Sequence, residues 1–248
     1  MTVEVSIVLA STALADDNGM RALKDVASVA GGLNYRVIGG HMVRLLRHIY
    51  DLPGPPRVTS DADTGIEEHV AIAGEFHDQL TALGYTDIRG NRYELGERAV
   101  DLLVPTEAKA GKRIIGERAF DGAPGLRLAL ASPPILLAVT AQLTDGECLD
   151  FDVPVPDVEA AFVMKMLAWT VRHSSRDVQD IETLLEIVAS QPEYKASPWR
   201  MHDPSATKMG ERKDAALAAA RMAASPPGAL SARVRALLQR HVAAVPRR

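Results

Sequence analysis

Two short stretches of the sequence carry the residue types that transfer chemistry at phosphorus needs. An apolar run ends in the glycine pair Gly39 and Gly40, and about twenty residues later two carboxylates, Asp61 and Asp63, stand two positions apart. Glycines let backbone N–H groups approach phosphate oxygens closely, and paired carboxylates bind hard divalent cations such as Mg²⁺. Two such ions can clamp the attacking and leaving oxygens of an in-line displacement. Their order and spacing predict a site for a metal-bound triphosphate.

Strands and a helix must position these residues. Residues 35–38 are predicted to form a short buried strand and residues 42–50 a helix, whose N-terminus then lies beside the glycines and favours anions. Residues 57–63 are predicted to form a strand, in which alternate side chains share a face, so Asp61 and Asp63 would point the same way. A lone glycine pair is more often a tight turn, and a lone Asp-x-Asp more often a solvated edge. Their order after an apolar strand favours the site.

A third carboxylate lies in the second of two consecutive predicted strands, residues 92–95 and 98–105. Asp101 is the lone acid within this second, apolar run. Its neighbours Val100 and Leu102 would share the opposite face of the strand. Two interpretations stay open, a further metal ligand and a charge that faces water, and the acid pair upstream favours the metal ligand.

A helix is predicted over residues 158–172, because its apolar residues recur at an amphipathic spacing. Lys165 and Arg172 are seven residues apart and fall on nearly the same side. Without the upstream motif, this charge pair would favour a solvated helix face. With that motif, Lys165 becomes a candidate functional residue.

A second helix is predicted over residues 176–189. Ser174 and Asp177 have the spacing of a capping box, so an acid at position 177 suits the first turn whether or not a site lies nearby. Asp180 lies one turn further along and has no capping role. We therefore favour Asp180 as the functional carboxylate of this helix.

Four motifs in this order resemble the AbiEii-type nucleotidyltransferases of the polymerase-beta-like nucleotidyltransferase superfamily, several of which are toxins of type IV toxin–antitoxin systems. The resemblance covers roughly residues 20–190, and the order of the short motifs carries it. The motifs are G-G-H at 39–41, R-x-T-x-D-x-D at 57–63, D-L-L-V-P at 101–105 and K-x-x-A-W-x-x-R-x-x-x-R-D-x-x-D at 165–180.

The resemblance implies a role for each matched position. It implies an α+β fold, with a nucleotidyltransferase-like mixed sheet, flanking helices and a C-terminal helical region. The implied residues are Gly39, Gly40, Thr59 and Lys165 for the nucleotide, Asp61, Asp63 and Asp101 for Mg²⁺, and Asp61, Asp63, Lys165 and Asp180 for catalysis.

The resemblance also implies partners. These are an NTP, a nucleic-acid acceptor such as the 3′ end of tRNA, and a separately encoded antitoxin. Two other hypotheses stay open. One is transfer to a small molecule, as in aminoglycoside-modifying nucleotidyltransferases, and the other is nucleotide binding by an inactive protein of the same fold.

The composition suits a globular chain without disulfides. It has 248 residues, 47% of them hydrophobic, which is enough for a sizeable core. The single cysteine, Cys148, excludes an internal disulfide framework and a cysteine-based zinc cluster, so we expect a reducing, cytoplasmic location. No apolar run reaches the roughly 18 residues of a membrane span. Residues 7–15 are apolar without a preceding Lys or Arg, so we interpret them as the first strand or helix rather than a secretory signal.

Pattern changes along the chain predict two domains. Strands and helices alternate up to residue 110, including a helix over 67–83 that ends at Gly84, and residues 111–157 are strand-like and rich in turns. Residues 153–156 read as a stiff connector. Every later periodic segment is helical, so we predict a nucleotidyltransferase α/β domain over 1–157 and a helical domain over 158–248.

Charge is distributed unevenly between these parts. The formal net charge is −4, but residues 198–248 hold ten Lys or Arg against three Asp or Glu, a net +7 that leaves −11 for residues 1–197. A basic, Ala-rich helical tail on an acidic body suits a polyanion such as RNA. Because the tail has almost no aromatic residues for base stacking, it fits a solvated helix equally well.

Overall fold

The computed structural model describes residues 3–54, 57–107, 111–190, 199–226 and 228–244, which form two mixed sheets with flanking helices. This α+β architecture confirms the predicted fold class. In chain order the elements are β1 (Val3–Ala10), α1 (Leu14–Val29), β2 (Tyr35–Val37), α2 (Gly39–Ile49), β3 (Asp61–Ile66), α3 (Glu68–Ala73), α4 (Glu75–Ala82), β4 (Thr86–Asp87), β5 (Arg92–Leu95), β6 (Arg98–Thr106), β7 (Lys112–Ile115), β8 (Arg118–Pro124), α5 (Leu126–Ala131), β9 (Ile135–Gln142), β10 (Cys148–Val155), α6 (Val158–Arg172), α7 (Ser175–Ser190), α8 (Gly210–Ala223) and α9 (Ala232–His241).

The larger sheet brings the two acidic strands side by side. Its order is β2-β3-β6-β5-β4, and β3 runs parallel to β6 with Asp63 directly opposite Asp101. Two strands pair with the same edge of β6. Strand β5 pairs antiparallel with the first half of β6, and β8 pairs parallel with the second half. Asp101 lies where the pairing changes from β5 to β8, and the sheet opens there beside the carboxylates.

The smaller sheet has the order β1-β9-β10 and packs its inner face against α1. Buried and exposed side chains alternate along β9 and β10, as expected for a sheet with one face in the core. The predicted connector over 153–156 is wrong, since Val153 and Val155 pair with Leu137 and Ile135 of β9. Pro154 fits into this strand because β10 lies at the edge of the sheet, where a missing N–H costs no ladder hydrogen bond.

Two other predicted boundaries are wrong for local reasons. The helix predicted over 67–83 is broken into α3 and α4 by Gly74, which adopts a left-handed φ of 79°. The strand predicted over 57–63 begins only at Asp61 and continues to Ile66. Residues 57–60 instead have no regular secondary structure and lie beside the start of α2.

The helices after residue 157 pack onto the sheets rather than standing apart. Helix α6 contacts α5 and β8, and α7 contacts α2, so their buried residues join one continuous hydrophobic core. Helix α8 lies on α6 through a face of alanines, and α9 covers α7 and α8. Trp199 meets Phe162 edge-on, with ring centroids 5.2 Å apart. In the described ranges, no helix is both long and apolar enough to cross a bilayer.

Some basic side chains of residues 198–248 form ion pairs or hydrogen bonds within the protein. Arg212 pairs with Glu159 at 2.7 Å and Arg233 with Glu186 at 2.6 Å. The guanidinium of Arg235 donates to backbone carbonyls at the end of α8. The exposed cations that remain on the described part of this region are Arg200, Lys208, Lys213, Arg221 and Arg240.

Candidate functional site

The turn from β2 into α2 depends on glycine at position 39. Gly39 has a φ of +66°, and a Cβ there would lie 1.8 Å from Oδ2 of Asp63. The N–H of Ile38 donates to the backbone carbonyl of Asp63 at 2.9 Å, which fixes β3 beside the turn. The close approach puts the Asp63 carboxylate against the N-terminus of α2, whose free N–H groups favour anions.

The three predicted metal ligands share one face of β3 and β6. Asp61 and Asp63 are two residues apart on β3, and Asp101 opposes Asp63 on β6. Burial raises the pKa of Asp63 above its ordinary range. Burial, and next the charge of Asp63, raise the pKa of Asp101 to about 6. Carboxylates that repel one another across adjacent strands are a donor set suited to a hard divalent cation.

Arg92 lies among these carboxylates. Its Nη1 donates to Oδ2 of Asp101 at 2.7 Å, its Nε donates to Glu94 at 2.8 Å, and its Nη2 lies 4.0 Å from Oδ1 of Asp61. Among the residues that the structure describes, no three acidic, histidine or cysteine side chains converge as metal ligands. The guanidinium of Arg92 offsets the negative charge of these carboxylates. A metal ion bound to Asp101 would have to displace this guanidinium.

We therefore expect Arg92→Gln to bind divalent cations more tightly. Removing the competing guanidinium should strengthen Mn²⁺ binding by the nucleotide-free protein about tenfold, the equivalent of ~1.4 kcal/mol. Isothermal titration calorimetry with MnCl₂ would measure it. Arg98→Gln is the control, because Arg98 pairs with Asp25 rather than with an acid of the site. Equal or weaker Mn²⁺ binding by Arg92→Gln would contradict this competition.

A buried ion cluster lies behind the glycine turn. Nζ of Lys165 is 2.8 Å from Oδ2 of Asp180, and the guanidinium of Arg57 bonds to the same oxygen. A Cβ on Gly40 would lie 3.2 Å from Nε of Arg57 and 3.2 Å from the methyl group of Thr59. Asp180 therefore holds two cations beside the α2 N-terminus, and its charge is already compensated.

Arg57 belongs to this cluster, although the sequence pattern does not predict it as a site residue. It stands at the first position of the R-x-T-x-D-x-D motif, which we treated only as a marker of the resemblance. The available signal was this basic residue four positions before Asp61.

Thr59, the predicted nucleotide contact, lies within residues 57–60, beside the start of α2. Its carbonyl oxygen would be 2.3 Å from a Cβ on Gly19. Only glycine at position 19 therefore lets α1 lie this close to the segment. The contacts of Thr59 with Gly19 and Gly40 hold the segment in place. Its side chain is partly exposed above the glycine turn.

Arg172 and Asp177 pair with each other across the α6–α7 junction. Nη2 of Arg172 donates to Asp177 at 2.8 Å and its Nε donates at 3.2 Å. The hydroxyl of Ser174 accepts from the N–H of Arg176 at 3.2 Å, so Ser174 caps α7 as predicted while Asp177 holds Arg172 instead of the backbone. The side chain of Arg172 remains 59% exposed, and it faces the cleft.

A cleft with two lobes runs past these residues. The first lobe, a cavity of about 120 Å³, lies between the α2 N-terminus and α6. The second, of about 410 Å³, lies over the junction of β5, β6 and β8. Both lobes are lined by Asp63, Leu103, Gly122 and Arg172; the first adds Gly39, Met42, Met164 and Lys165, and the second adds Arg89, Asn91, Arg92, Asp101 and Asp121.

The cleft brings together most of the predicted residues. Asp63 lies where the two lobes meet, Gly39 and Lys165 line the first and Asp101 lines the second. Asp61 neighbours the second lobe through Arg92. The other predicted residues, Gly40, Thr59 and Asp180, lie behind the first lobe and support it through the contacts described above.

Comparison with known proteins adds similar folds. No protein family model matches the chain, and no curated protein matches it either. The solved structures that are similar to it include two with low sequence identity. One is the antibiotic-resistance factor ANT(2″)-Ia, with 13% identity over 71% of this chain and 86% of that one and a TM-score of 0.42. The other is an antigenic nucleotidyltransferase-like protein from Paracoccidioides brasiliensis, with 16% identity over 95% and 96% and a TM-score of 0.46. The AbiEii-type resemblance stays a prediction.

His41, which follows the glycine pair, is buried. Its environment predicts that the stability of the fold depends on pH. Neither ring nitrogen has a hydrogen-bond partner in the described part of the chain, and burial, followed by the charges of Arg44 and Arg57, lowers its pKa from 6.5 to about 3. The folded protein keeps the ring neutral while the unfolded chain takes up a proton below about pH 6.5. Stability should therefore fall as the pH drops from 6.5 towards 3, by about 1.4 kcal/mol per pH unit.

The substitution His41→Leu should remove this dependence. Urea unfolding at pH 7.5 and pH 5.5 would show a smaller loss of stability for His41→Leu than for the wild type, by about 1 kcal/mol. His48→Leu is the matched control, because His48 lies on the same helix and is exposed. Parallel pH profiles for His41→Leu and the wild type would show that His41 is not the group responsible.

Proposed function

We propose that this chain is a metal-dependent nucleotidyltransferase, which moves a nucleoside monophosphate from an NTP onto a hydroxyl group and releases pyrophosphate. The observation that carries the proposal is the register of β3 and β6. It aligns Asp61, Asp63 and Asp101 on one face of the sheet, and Asp63 lies directly against the N-terminus of α2. Acids for metal ions and a helix terminus for phosphates thus meet at a single point, where the cleft also holds Lys165.

The lining of the first lobe suits the phosphates of a nucleotide. Its walls combine the apolar side chains of Met42 and Met164 with Gly39 and the ammonium group of Lys165. The phosphates would lie against the N–H groups of α2 and Lys165, since fixed positive charge and preorganised donors stabilise a triphosphate without rearrangement. Arg57 would support them from behind Gly40.

The reaction is an in-line displacement at the α-phosphorus. The acceptor oxygen bonds to the α-phosphorus, the bond from that phosphorus to the oxygen bridging to the β-phosphate breaks, and pyrophosphate leaves. The carboxylate of Asp101, which lines the second lobe opposite Asp63, would accept the hydroxyl proton. Magnesium ions held by Asp61, Asp63 and Asp101 would neutralise the phosphate charge and activate the hydroxyl.

The proposed acceptor is RNA, specifically the 3′ end of tRNA. The order of the motifs supports this choice, together with a role as the toxin of a type IV toxin–antitoxin pair that a separate antitoxin restrains. Exposed Lys208, Lys213 and Arg221 could add attraction for RNA. The second candidate is a small cationic acceptor of the aminoglycoside type, which the net charge of −11 over residues 1–197 favours.

One experiment separates these activities. The purified protein is incubated with each α-³²P-labelled NTP and Mg²⁺, with either total tRNA or an aminoglycoside as acceptor. We expect label on tRNA with the wild type and none with Asp63→Asn. Label on the aminoglycoside would support the second candidate. Nucleotide binding without transfer would instead indicate an inactive protein of this fold, and the absence of both would overturn the proposal.

A further inference from the structure

The second lobe of the cleft gives access to the carboxylates from the side opposite the nucleotide lobe. Asp63 and Leu103 line both lobes, whereas Gly39 and Lys165 line only the first. A molecule in the second lobe can therefore reach Asp63 and Asp101 without occupying the space of the phosphates. This is the position that the acceptor of a nucleotidyl transfer must take.

The acids of the second lobe accept hydrogen bonds from its other side chains. Asp101 accepts from Arg92 at 2.7 Å, and Asp121 accepts from Nδ2 of Asn91 at 3.3 Å. Asp63, at the junction of the lobes, belongs to the proposed metal site. A polycationic acceptor would compete with Arg92 for Asp101 and with the proposed metal ions for Asp63, which leaves it Asp121, bonded to a neutral amide.

Two arginines of the second lobe, Arg89 and Arg172, have N–H donors that no acidic side chain in the described ranges uses. Arg89 is exposed, and no acidic side chain of the described residues pairs with it. Arg172 donates from Nε and one terminal nitrogen to Asp177. Its other N–H donors remain available, and its side chain is 59% exposed at the cleft. An arginine fork with free N–H groups matches the geometry of a phosphate group.

The turn that carries Arg89 is fixed in place. Oδ1 of Asp87 accepts from the N–H of Gly90 at 2.6 Å, which closes the turn between β4 and β5. Gly90 has a left-handed φ of +75°, and a Cβ there would lie 3.0 Å from the carbonyl oxygen of Ala119 on β8. Because the turn packs this closely on β8, Arg89 stands at a defined point on the rim of the lobe.

We propose, on the basis of the nucleotidyltransferase activity proposed above, that the second lobe binds the acceptor through a phosphate adjacent to the reacting hydroxyl, with Arg89 and Arg172 as the phosphate contacts. The last phosphodiester of a polynucleotide 3′ end has this arrangement. An unphosphorylated nucleoside and an aminoglycoside lack it. The lobe thus selects a phosphate-bearing acceptor, and the oxygen of its terminal hydroxyl bonds to the α-phosphorus as pyrophosphate departs.

The test measures acceptor and nucleotide binding separately. Arg89→Gln and Arg172→Gln are compared with the wild type for the KM of a short single-stranded RNA at saturating NTP, and for the Kd of a non-hydrolysable NTP. Each substitution should raise the KM for RNA about tenfold, the loss expected for a charge-assisted hydrogen bond. Arg89→Gln should leave the NTP Kd unchanged, and Arg172→Gln, at the junction of the two lobes, should change the NTP Kd by less than it changes the KM. The wild type should use a dinucleotide better than the corresponding nucleoside. Arg113→Gln is the control, because Arg113 is bound to Glu68 outside the cleft.

Three results would overturn this acceptor site: an unchanged KM for RNA in both variants, a loss of NTP affinity that matches the rise in KM, or equal use of the nucleoside and the dinucleotide. Melting temperatures equal to that of the wild type would show that the variants are folded. Failure of the proposed activity is distinguishable, because the wild type would then transfer label to no acceptor at all.

Discussion

Asp63→Asn is expected to abolish nucleotidyl transfer, with a loss of at least about a thousandfold, because a metal ligand contributes several kcal/mol of charge stabilisation in the transition state. Asparagine keeps the size of the side chain that packs against Gly39, so the turn into α2 should survive. The apo protein should keep or gain stability. Burial already disfavours the charged form of Asp63, and the substitution also removes its repulsion of Asp101.

Asp61→Asn should lose activity as well, although this side chain is more exposed and accepts a hydrogen bond from Ser60 at 2.9 Å. Single-turnover transfer at saturating Mg²⁺, together with thermal melting of the apo protein, would measure both effects. Asp152→Asn is the control, since Asp152 lies on the exposed face of β10. Turnover retained by both Asp61→Asn and Asp63→Asn would rule out the two-metal reading.

The local features of the site could be predicted from the sequence because they depend on neighbouring residues. A strand that enters a helix through glycine, and alternate acids on one strand, are consequences of backbone geometry over a few residues. The α6 helix over 158–172 was predicted with its observed bounds, and Asp101 does have buried neighbours, Val100 and Leu102. Whether Asp101 faced the site or the solvent was left open, because that depends on which strand lies beside it.

The pairing of Arg92 with Asp101 could also have been predicted. Only Gly96 and Glu97 separate β5 from β6, and a two-residue turn fixes the register of the two strands. Counting back from this turn places Arg92 opposite Asp101.

Long-range pairing could not be predicted in this way. The register of β3 with β6 is set by parallel strands that no short turn connects, and β1 pairs with β9, more than a hundred residues away. The packing of the basic tail was equally hidden, because the alanine face of α8 reads as a solvated helix until α6 is placed beneath it. Cations that looked free in the sequence, such as Arg212, turn out to be paired.

Lys165→Met is expected to weaken NTP binding about a hundredfold, the size of effect found when one partner of a buried charge pair is truncated. Lys165 is almost fully buried, lines the nucleotide lobe and lies 2.8 Å from Asp180. Its removal leaves Asp180 with Arg57 as its remaining ion-pair partner among the described residues, so the protein should also lose about 2 kcal/mol of stability. Titration of a non-hydrolysable NTP and urea unfolding would give the two quantities.

A second substitution separates the two effects of losing Lys165. Asp180→Asn in the Lys165→Met background removes the buried carboxylate that has lost one of its two cations. It should restore part of the lost stability, because asparagine carries no charge and the partly exposed Arg57 can be solvated. It should not restore NTP affinity, since the ammonium group that would face the phosphates remains absent. Arg172→Gln should weaken NTP binding less than Lys165→Met does, because Arg172 is 59% exposed and two of its donors are held by Asp177. If the double variant recovered NTP binding, Lys165 would be a structural partner of Asp180 and the phosphate contact would lie elsewhere, with Arg57 above Gly40 as the nearest remaining cation.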